Sequence, residues 1–334
     1  DVMPVTDIHD VIKLQGGITQ DSEGGIHIRG GRSSEVVYMV DGVSMTDSYD
    51  GGLSIAVENN TIQELQVISG TFNAEYGRAM SGIINMVTKD GGKEFEGSLR
   101  TFSGDHLSND PIYRNLTRFE PYNHNNIEFS LSGPILMEKL TFFISGRNYN
   151  SKGWLSGLNS FSMYGDTLDI IQYHPMNWID KWSIQSKFTY SIFPQTKLRI
   201  KYITNKEQSQ SYDHNRQMAH EGRSTQYNFG NYLGLNFSHA FSPRSFIDFN
   251  VSKHSKEYKS YLFEDPFDTQ YITPDSNYYA HLIGILPDWA DEGTNYFPSY
   301  SYARWGVDLN RFMRHTITNQ IKLEYTSQFN NYHQ

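Results

Sequence analysis

Residues 182–193 have the sequence WSIQSKFTYSIF, in which large apolar side chains alternate with polar ones. One set comprises Trp182, Ile184, Phe188, Tyr190 and Ile192, and the other comprises Ser183, Gln185, Lys187, Thr189 and Ser191. Successive side chains of a β-strand point to opposite faces, so a period of two residues places the two sets on opposite faces. The stretch therefore predicts a β-strand with one apolar and one polar face.

The same two-faced pattern recurs on both sides of this stretch and gives eight candidate strands from residue 94 onward. The other candidates are 94–103, 126–136, 140–149, 196–205, 226–241, 245–258 and 316–330. The connections between them alternate in length. The short ones are 137–139, 193–195 and 242–244, and the long ones are 104–125, 150–181, 206–225 and 259–315.

This alternation of connection lengths predicts a membrane barrel and its orientation. Outer-membrane β-barrels have short turns at the periplasmic end and long loops at the extracellular end. We expect the long connections to be extracellular, with a soluble all-β protein carrying irregular insertions as the alternative. Eight strands make a barrel filled by side chains, whereas barrels of about 22 strands hold a plugged lumen, so we expect these strands to belong to a larger barrel of about 22 strands.

The composition agrees with alternating strands and excludes several classes of function. Aromatic residues make up 14% of the 334 residues, with 23 Tyr and 20 Phe, while the mean hydropathy is -0.58. No run of about 18 apolar residues occurs, which excludes a membrane-spanning helix. The absence of cysteine excludes disulfides and thiolate chemistry. The net charge of -9 argues against a nucleic-acid partner.

Residues 1–93 differ from the rest of the chain because they are glycine-rich and their segments are short and mixed. They contain a predicted helix at 7–14 and strand-like runs at 25–29, 36–40, 62–68 and 82–89. The sequence DGGK at 90–93 is typical of a turn and marks the boundary. We therefore predict a small α+β domain over 1–93, followed by the N-terminal part of a transmembrane β-barrel over 94–334.

Several segments of this first domain resemble the plug domain of TonB-dependent receptors in order and spacing. They are IHIRGG (26–31), VDGV (40–43), IQELQVISG (62–70) and NAEYGRAMSGIINMVTK (73–89). The run NAEYGRA followed by GIINMVTKDGGKEFEG is most similar to the Oar-like branch, whose members often carry a carboxypeptidase-regulatory-like domain ahead of the plug. One departure is Gln66, which stands where the family usually has glutamate.

The resemblance implies that the first domain lies inside the barrel and that its motif residues hold it there. These residues are Arg29, Gly30, Asp41, Gly42, Glu75, Tyr76, Gly77 and Arg78. Guanidinium groups can hold carboxylates through two hydrogen bonds, so we expect Arg29 and Arg78 to lock the plug to the barrel wall. The alternative for either one is a solvated surface arginine, and Asp41 before Gly42 is first of all a turn residue.

Aromatic and polar side chains in two regions are the candidates for contact with a ligand. They are Tyr49, Asp50, Tyr278, Tyr279, Trp289, Tyr296, Tyr300 and Trp305. An aromatic loop can bind sugars, peptides or a partner protein. The alternatives are a loop that packs on itself and an aromatic girdle at the membrane interface.

No motif of an enzyme or a cofactor site is present in the sequence. The chain contains no GxxxxGK[ST], no GxGxxG that opens a helix after a strand, no HExxH and no GxSxG. We therefore expect no catalytic residues, no metal site and no cofactor.

The function that follows from the resemblance is energised import of an unidentified ligand across the outer membrane of a Gram-negative-type bacterium. The resemblance implies the TonB-ExbB-ExbD complex as the energy source. Further expected partners are outer-membrane lipid, lipopolysaccharide and an extracellular ligand or protein. The alternative is a plugged barrel that serves in adhesion, sensing or protein docking without transport.

Overall fold

A computed structural model describes residues 8–21, 24–70, 79–136, 139–271, 302–303 and 306–328. The described residues form two parts, a small mixed domain and an antiparallel sheet that lies against it. No helix in the described residues is both long and apolar enough to cross a membrane.

The N-terminal domain contains one short helix and two small sheets. Its elements are α1 (Ile8–Lys13), β1 (Ile18–Gln20), β2 (Ile26–Ile28), β3 (Val36–Val40), β4 (Val43–Ser44), β5 (Ile62–Ser69) and β6 (Gly82–Thr88). Strands β1 and β2 form an antiparallel pair. The second sheet has the order β4-β3-β6-β5, in which only the pair β3 and β6 is parallel.

The core of this domain lies on both faces of β3, whose sequence VVYMV is buried throughout. Val36, Tyr38 and Val40 pack into the larger apolar cluster, and Val37 and Met39 pack into a smaller one on the other face. A strand covered on both faces needs a continuous apolar run instead of an alternating one. This requirement explains why β3 lacks the period-two pattern of the strands that follow.

The second part is an eight-stranded antiparallel sheet in which each strand pairs with the next along the chain. Its strands are β7 (Glu96–Gly104), β8 (His124–Leu136), β9 (Leu140–Ser151), β12 (Ile179–Phe193), β13 (Thr196–Ser209), β14 (Thr225–Ser242), β15 (Ser245–Tyr261) and β16 (Phe312–Ser327). Every one of the eight predicted strands is confirmed, with ends shifted by a few residues. The turns that follow β8, β12 and β14 define the short-turn end, and the long connections define the long-loop end.

Strands β1 and β4 were not predicted from the sequence, and neither was one hairpin at the long-loop end. Strands β10 (Ser156–Phe161) and β11 (Thr167–Pro175) pair within the long connection between β9 and β12. Their register shifts between Asn159 and Phe161, and a bulge of this kind interrupts the alternation by which a strand is recognised.

The two faces of the eight-stranded sheet have the reverse of the polarity expected in a soluble protein. On β12 the polar face is buried, with Lys187 only 5% exposed, whereas Ile184 on the apolar face is 43% exposed. The polar face lies against the N-terminal domain, and we call it the inner face. The apolar outer face continues through Ile200, Leu235, Ile321 and Leu323. Soluble monomers rarely expose apolar patches of more than a few hundred square ångströms.

Candidate functional site: the interface between the N-terminal domain and the sheet

The N-terminal domain contacts the inner face through three clusters of charged side chains. The first is centred on Asp41, in the turn between β3 and β4. Asp41 and Gly42 have φ angles of 49° and 77°, and two successive positive φ angles are typical of the tightest hairpin turns. The turn directs the Asp41 carboxylate toward the end of β6 and the sheet, where it accepts hydrogen bonds from Thr88 N at 2.8 Å and Thr88 Oγ1 at 2.6 Å.

Asp41 also pairs with two lysines of the sheet. Lys201 Nζ lies 2.8 Å and Lys187 Nζ lies 3.5 Å from Asp41 Oδ2. The two lysines are directly opposite each other on β12 and β13, and like charges in this arrangement repel. Burial alone would raise the pKa of Asp41, but the two ammonium groups outweigh it and lower the pKa to about 2. The carboxylate of Asp41 therefore offsets the electrostatic repulsion between Lys187 and Lys201.

The second cluster is centred on Glu58, which is buried together with its partner Arg147. Glu58 Oε2 lies 2.7 Å from Arg147 Nη1, and Oε1 lies 3.1 Å from Lys181 Nζ. Ser183 donates a further hydrogen bond to Oε1 at 3.0 Å. The side chains of Glu58 and Arg147 are 8% and 6% exposed. Burial raises the pKa of Glu58, but Lys181 and Arg147 more than offset this effect and lower it overall.

The third cluster joins the loop that follows β4 to the last two strands of the sheet. Asp47, whose side chain is fully buried, pairs with Lys256 at 3.1 Å and Arg314 at 3.0 Å. Asp50 pairs with the same two cations at 3.3 Å and 2.9 Å. Burial opposes ionisation of Asp50, but the N–H of Gly52 and the charge of Lys256 lower its pKa.

The three clusters share one polarity, because the domain contributes the carboxylates and the sheet contributes the cations. Hydrogen bonds to main-chain carbonyl groups of the domain follow the same direction. Gln320 donates to Ser44 O at 2.9 Å, Lys322 donates to Gly42 O at 3.3 Å, and Asn205 donates to Ala56 O at 3.3 Å. The inner face of the sheet is therefore the donor side of the interface.

The motif residues predicted to lock the domain are only partly within the described residues. Arg29 is exposed, has a φ of 51°, and donates its main-chain N–H to Gly17 O at 2.8 Å. Within the described ranges, the ion pairs that join the domain to the sheet involve other residues, and Asp41 is the one predicted motif residue among them. Gly30 follows Arg29 with a φ of 78°. The motif residues Glu75, Tyr76, Gly77 and Arg78 lie outside the described residues.

The predicted ligand-facing residues divide in the same way. Tyr49 is exposed, and its ring lies 4.4 Å from Cζ of Arg314. Asp50 belongs to the third cluster. The remaining candidates lie outside the described residues, namely Tyr278, Tyr279, Trp289, Tyr296, Tyr300 and Trp305.

The residues that sequence reasoning missed are Glu58, Asp47 and the basic side chains of the inner face. A signal for the basic side chains was available, since the alternation in 182–193 already places Lys187 on the polar face. No comparable pattern marks Glu58, because its partner Arg147 is 89 residues away in the chain.

At the long-loop end the connections bind one another. Arg114 donates to Gln217 Oε1 at 2.8 Å, and Arg223 donates to Met176 O at 3.0 Å. Ser224 donates to Asp308 Oδ2 at 2.6 Å. Four long connections are thereby linked into one layer. In the part of the chain that the structure describes, no group of three or more His, Cys, Asp or Glu side chains is placed to hold a metal ion.

Comparison with known proteins identifies the first domain. A family model described as the TonB-dependent Receptor Plug Domain matches residues 1–83. The chain carries a TonB-dependent receptor plug domain. The N-terminal domain is the plug, and the sheet whose inner face it contacts is the barrel wall. The TonB-dependent transporter Oar of Myxococcus xanthus is 32% identical over 131 residues, which cover 37% of this chain and 12% of that protein.

Solved structures share the arrangement of plug and wall. The siderophore receptor PirA of Acinetobacter baumannii aligns with a TM-score of 0.56 and 17% identity, over 77% of this chain and 38% of that chain. The outer membrane transporter YddB of Escherichia coli aligns with a TM-score of 0.55 and 14% identity, over 77% of this chain and 37% of that chain. At this identity the likeness shows the fold, and these relatives are receptors and transporters, not enzymes.

Proposed function

We propose that the protein is an outer-membrane transporter that imports a ligand past its plug with energy supplied by the TonB-ExbB-ExbD complex. The apolar outer face of the wall supports a location in the membrane. The long loops are then extracellular, as in other barrels of this kind. The aligned solved relatives are more than twice as long as the matched part, so we propose that the eight strands belong to a larger barrel.

The observation that carries this proposal is the polar interface between plug and wall. Buried ion pairs hold two surfaces in register but contribute little net stability, because the cost of removing the charges from water offsets much of their attraction. An interface of this kind can separate when water replaces the lost contacts. An apolar interface of the same size would oppose separation more strongly.

A cysteine in the interface tests whether the plug moves when TonB is energised. The 334 residues contain no cysteine, so one introduced thiol is the only one in this part of the protein. Ser54 is 5% exposed and its hydroxyl has no hydrogen-bond partner among the described residues, which makes Ser54→Cys a conservative change. We expect a small maleimide to label it in energised cells and not after loss of the proton-motive force or of TonB.

The matched control is Ser48→Cys, since Ser48 is exposed on the same loop region of the plug. This control should be labelled whether or not TonB is present. If Ser54→Cys is labelled equally with and without TonB, the plug does not respond to the motor. That result would contradict import and support a role in adhesion, sensing or docking.

A further inference from the structure

Two cavities lie between the plug and the same four wall strands, β12, β13, β14 and β15. The upper cavity, nearer the long-loop end, has a volume of about 170 Å³, and the lower cavity has about 300 Å³. The upper cavity is lined by Ser54 and Ala56 of the plug and by Asn205, Gly230 and Lys256 of the wall. The lower cavity is lined by Asp41 and Gly42 of the plug and by Lys187, Lys201 and Gly234 of the wall.

A single row of inward-facing side chains separates the two cavities. The strand register places Asn205, Gly230 and Lys256 in one row and Lys201, Gly234 and Ser252 in another, four residues closer to the short-turn end. Between them lies the row of Ile203, Tyr232 and His254, which we call the septum. Its members are 2%, 5% and 2% exposed.

The two cavities and the septum together form the contact region between the plug and these wall strands, which we call the seam. Tyr232 is the side chain that closes it. Gly230 and Gly234 flank it on the same face of β14, so its ring has no neighbouring side chain above or below it on its own strand. A Cβ atom added at Gly234 would collide with the Tyr232 hydroxyl group, which shows that the tyrosine lies along the strand over this glycine. Together with Ile203 it packs into the main apolar cluster of the plug.

Opening of the septum would allow one of its members, His254, to form hydrogen bonds with water. Neither ring nitrogen of His254 has a hydrogen-bond partner among the described residues, although the side chain is buried. A buried polar group without a hydrogen-bond partner destabilises the folded state, and a hydrogen bond to water would remove this penalty. A displaced Tyr232 would admit water to His254 and join the two cavities.

The charges of the seam indicate the class of solute that would pass. On the wall side the two cavities are lined by Lys181, Lys187, Arg199, Lys201 and Lys256, against the carboxylates Glu207 and Asp248. The compensating carboxylates, including Asp41 and Asp90, belong to the plug and would leave with it. A cleft lined mainly by one charge attracts the opposite one.

We propose that the seam between the plug and strands β12–β15 is the route of an anionic solute, and that Tyr232 is its gate. This inference rests on the proposed import function and names the route and the charge class of its substrate. In the closed state the plug carboxylates pair with the cations of the wall. When the plug is displaced, the anionic solute pairs with these cations instead. Tyr232 determines whether the seam is continuous.

The test measures passive conductance of the purified full-length protein in a planar lipid bilayer with KCl as the probe. In Tyr232→Ala we expect a conductance step that the unchanged protein lacks, because the two cavities become continuous. Tyr232→Phe retains the ring and should remain closed. Leu233→Ala, on the outer face of the same strand, is the matched control and should also remain closed.

The charge class is tested by the reversal potential across a KCl gradient. Asp90 lies 2.7 Å from Lys187 and is half-exposed, so Asp90→Asn should remove one of the two carboxylates that pair with Lys187 without disturbing the plug core. We expect the reversal potential of Tyr232→Ala to shift toward the chloride value when Asp90→Asn is added. A shift toward the potassium value would overturn the anionic assignment.

Two results would overturn the gate. One is an unchanged conductance in Tyr232→Ala while hydrogen exchange shows that β3 and β6 of the plug remain protected. The other is an equal conductance in Leu233→Ala. Because no TonB is present in the bilayer, these results are independent of the labelling of Ser54→Cys, and either proposal can fail alone.

Discussion

Asp41 combines two properties at one position: a carboxylate and a left-handed backbone. Aspartate accepts positive φ angles more readily than most residues with a side chain, and here the turn directs its carboxylate between two lysines of the wall. The sequence shows the turn at Asp41-Gly42, because turn residues act locally. The sequence does not indicate that Lys187 and Lys201 are the partners of Asp41, because they lie 146 and 160 residues further along the chain.

The lowered pKa of Asp41 predicts an acid-sensitive plug. Its ordinary pKa is 3.8, and the folded value is about 2. A carboxyl group with a lowered pKa stabilises the folded state above its unfolded pKa, and this contribution disappears as the pH falls through the folded value. We expect a loss of about 2 kcal/mol between pH 4 and pH 2. The urea midpoint for plug release, followed with a fluorophore on Ser48→Cys, measures it.

Asp41→Asn identifies the part of this pH dependence that belongs to Asp41. Glu58 and Asp50 also have lowered pKa values, so an acid transition persists in the variant with a smaller amplitude. An identical transition in Asp41→Asn and the unchanged protein would refute the assignment.

Glu58 is the residue whose loss should loosen the plug most. Glu58→Gln removes the carboxylate that pairs with both Arg147 and Lys181, and breaking a buried ion pair in this way typically costs about 3–5 kcal/mol. We expect faster hydrogen exchange in β5 and β6. Glu64→Gln is the control, because Glu64 is an exposed plug carboxylate that accepts a hydrogen bond from neighbouring Gln66. Equal exchange in the two variants would show that Glu58 is not an anchor.

At the level of elements, the wall was predictable and the plug–wall contacts were not. Strand β12 has one buried and one exposed face, so the period of two residues is visible in the sequence of 182–193. Strand β3 was recognisable from its apolar run. The hairpin of β10 and β11 was missed because its pairing depends on a bulge and on contacts with another loop, including Ser160 N to Met218 O at 3.0 Å.

Residues 90–93, which link the plug to the wall, give a prediction at this scale. A Cβ atom at Gly91 would lie 2.5–2.7 Å from the main-chain atoms of Phe142 on β9, whereas one at Gly92 would have ordinary contacts. We expect Gly91→Ala to push the link away from the wall and lower the thermal midpoint of unfolding. Gly92→Ala should leave the midpoint nearly unchanged. A similar midpoint for both variants would show that the link can move at no cost.

At the scale of the whole molecule, the orientation of the wall is open to direct test. Asn109 lies in the first long connection and is exposed, and Gln195 lies in a turn at the opposite end. We expect an impermeant maleimide to label Asn109→Cys on intact cells and Gln195→Cys only after permeabilisation. The reverse pattern would invert the topology derived from the connection lengths.

The shared polarity of the three ion-pair clusters restricts which plugs and barrels can be combined. A chimeric receptor that places this plug in a wall with carboxylates at the positions of Arg147, Lys201 and Arg314 would set like charges against each other at every anchor. Exchange of the two parts by recombination would then succeed only between barrels with the same pattern of cations. The charges of the interface thus determine which plug fits which wall, so we expect the two parts to be inherited together.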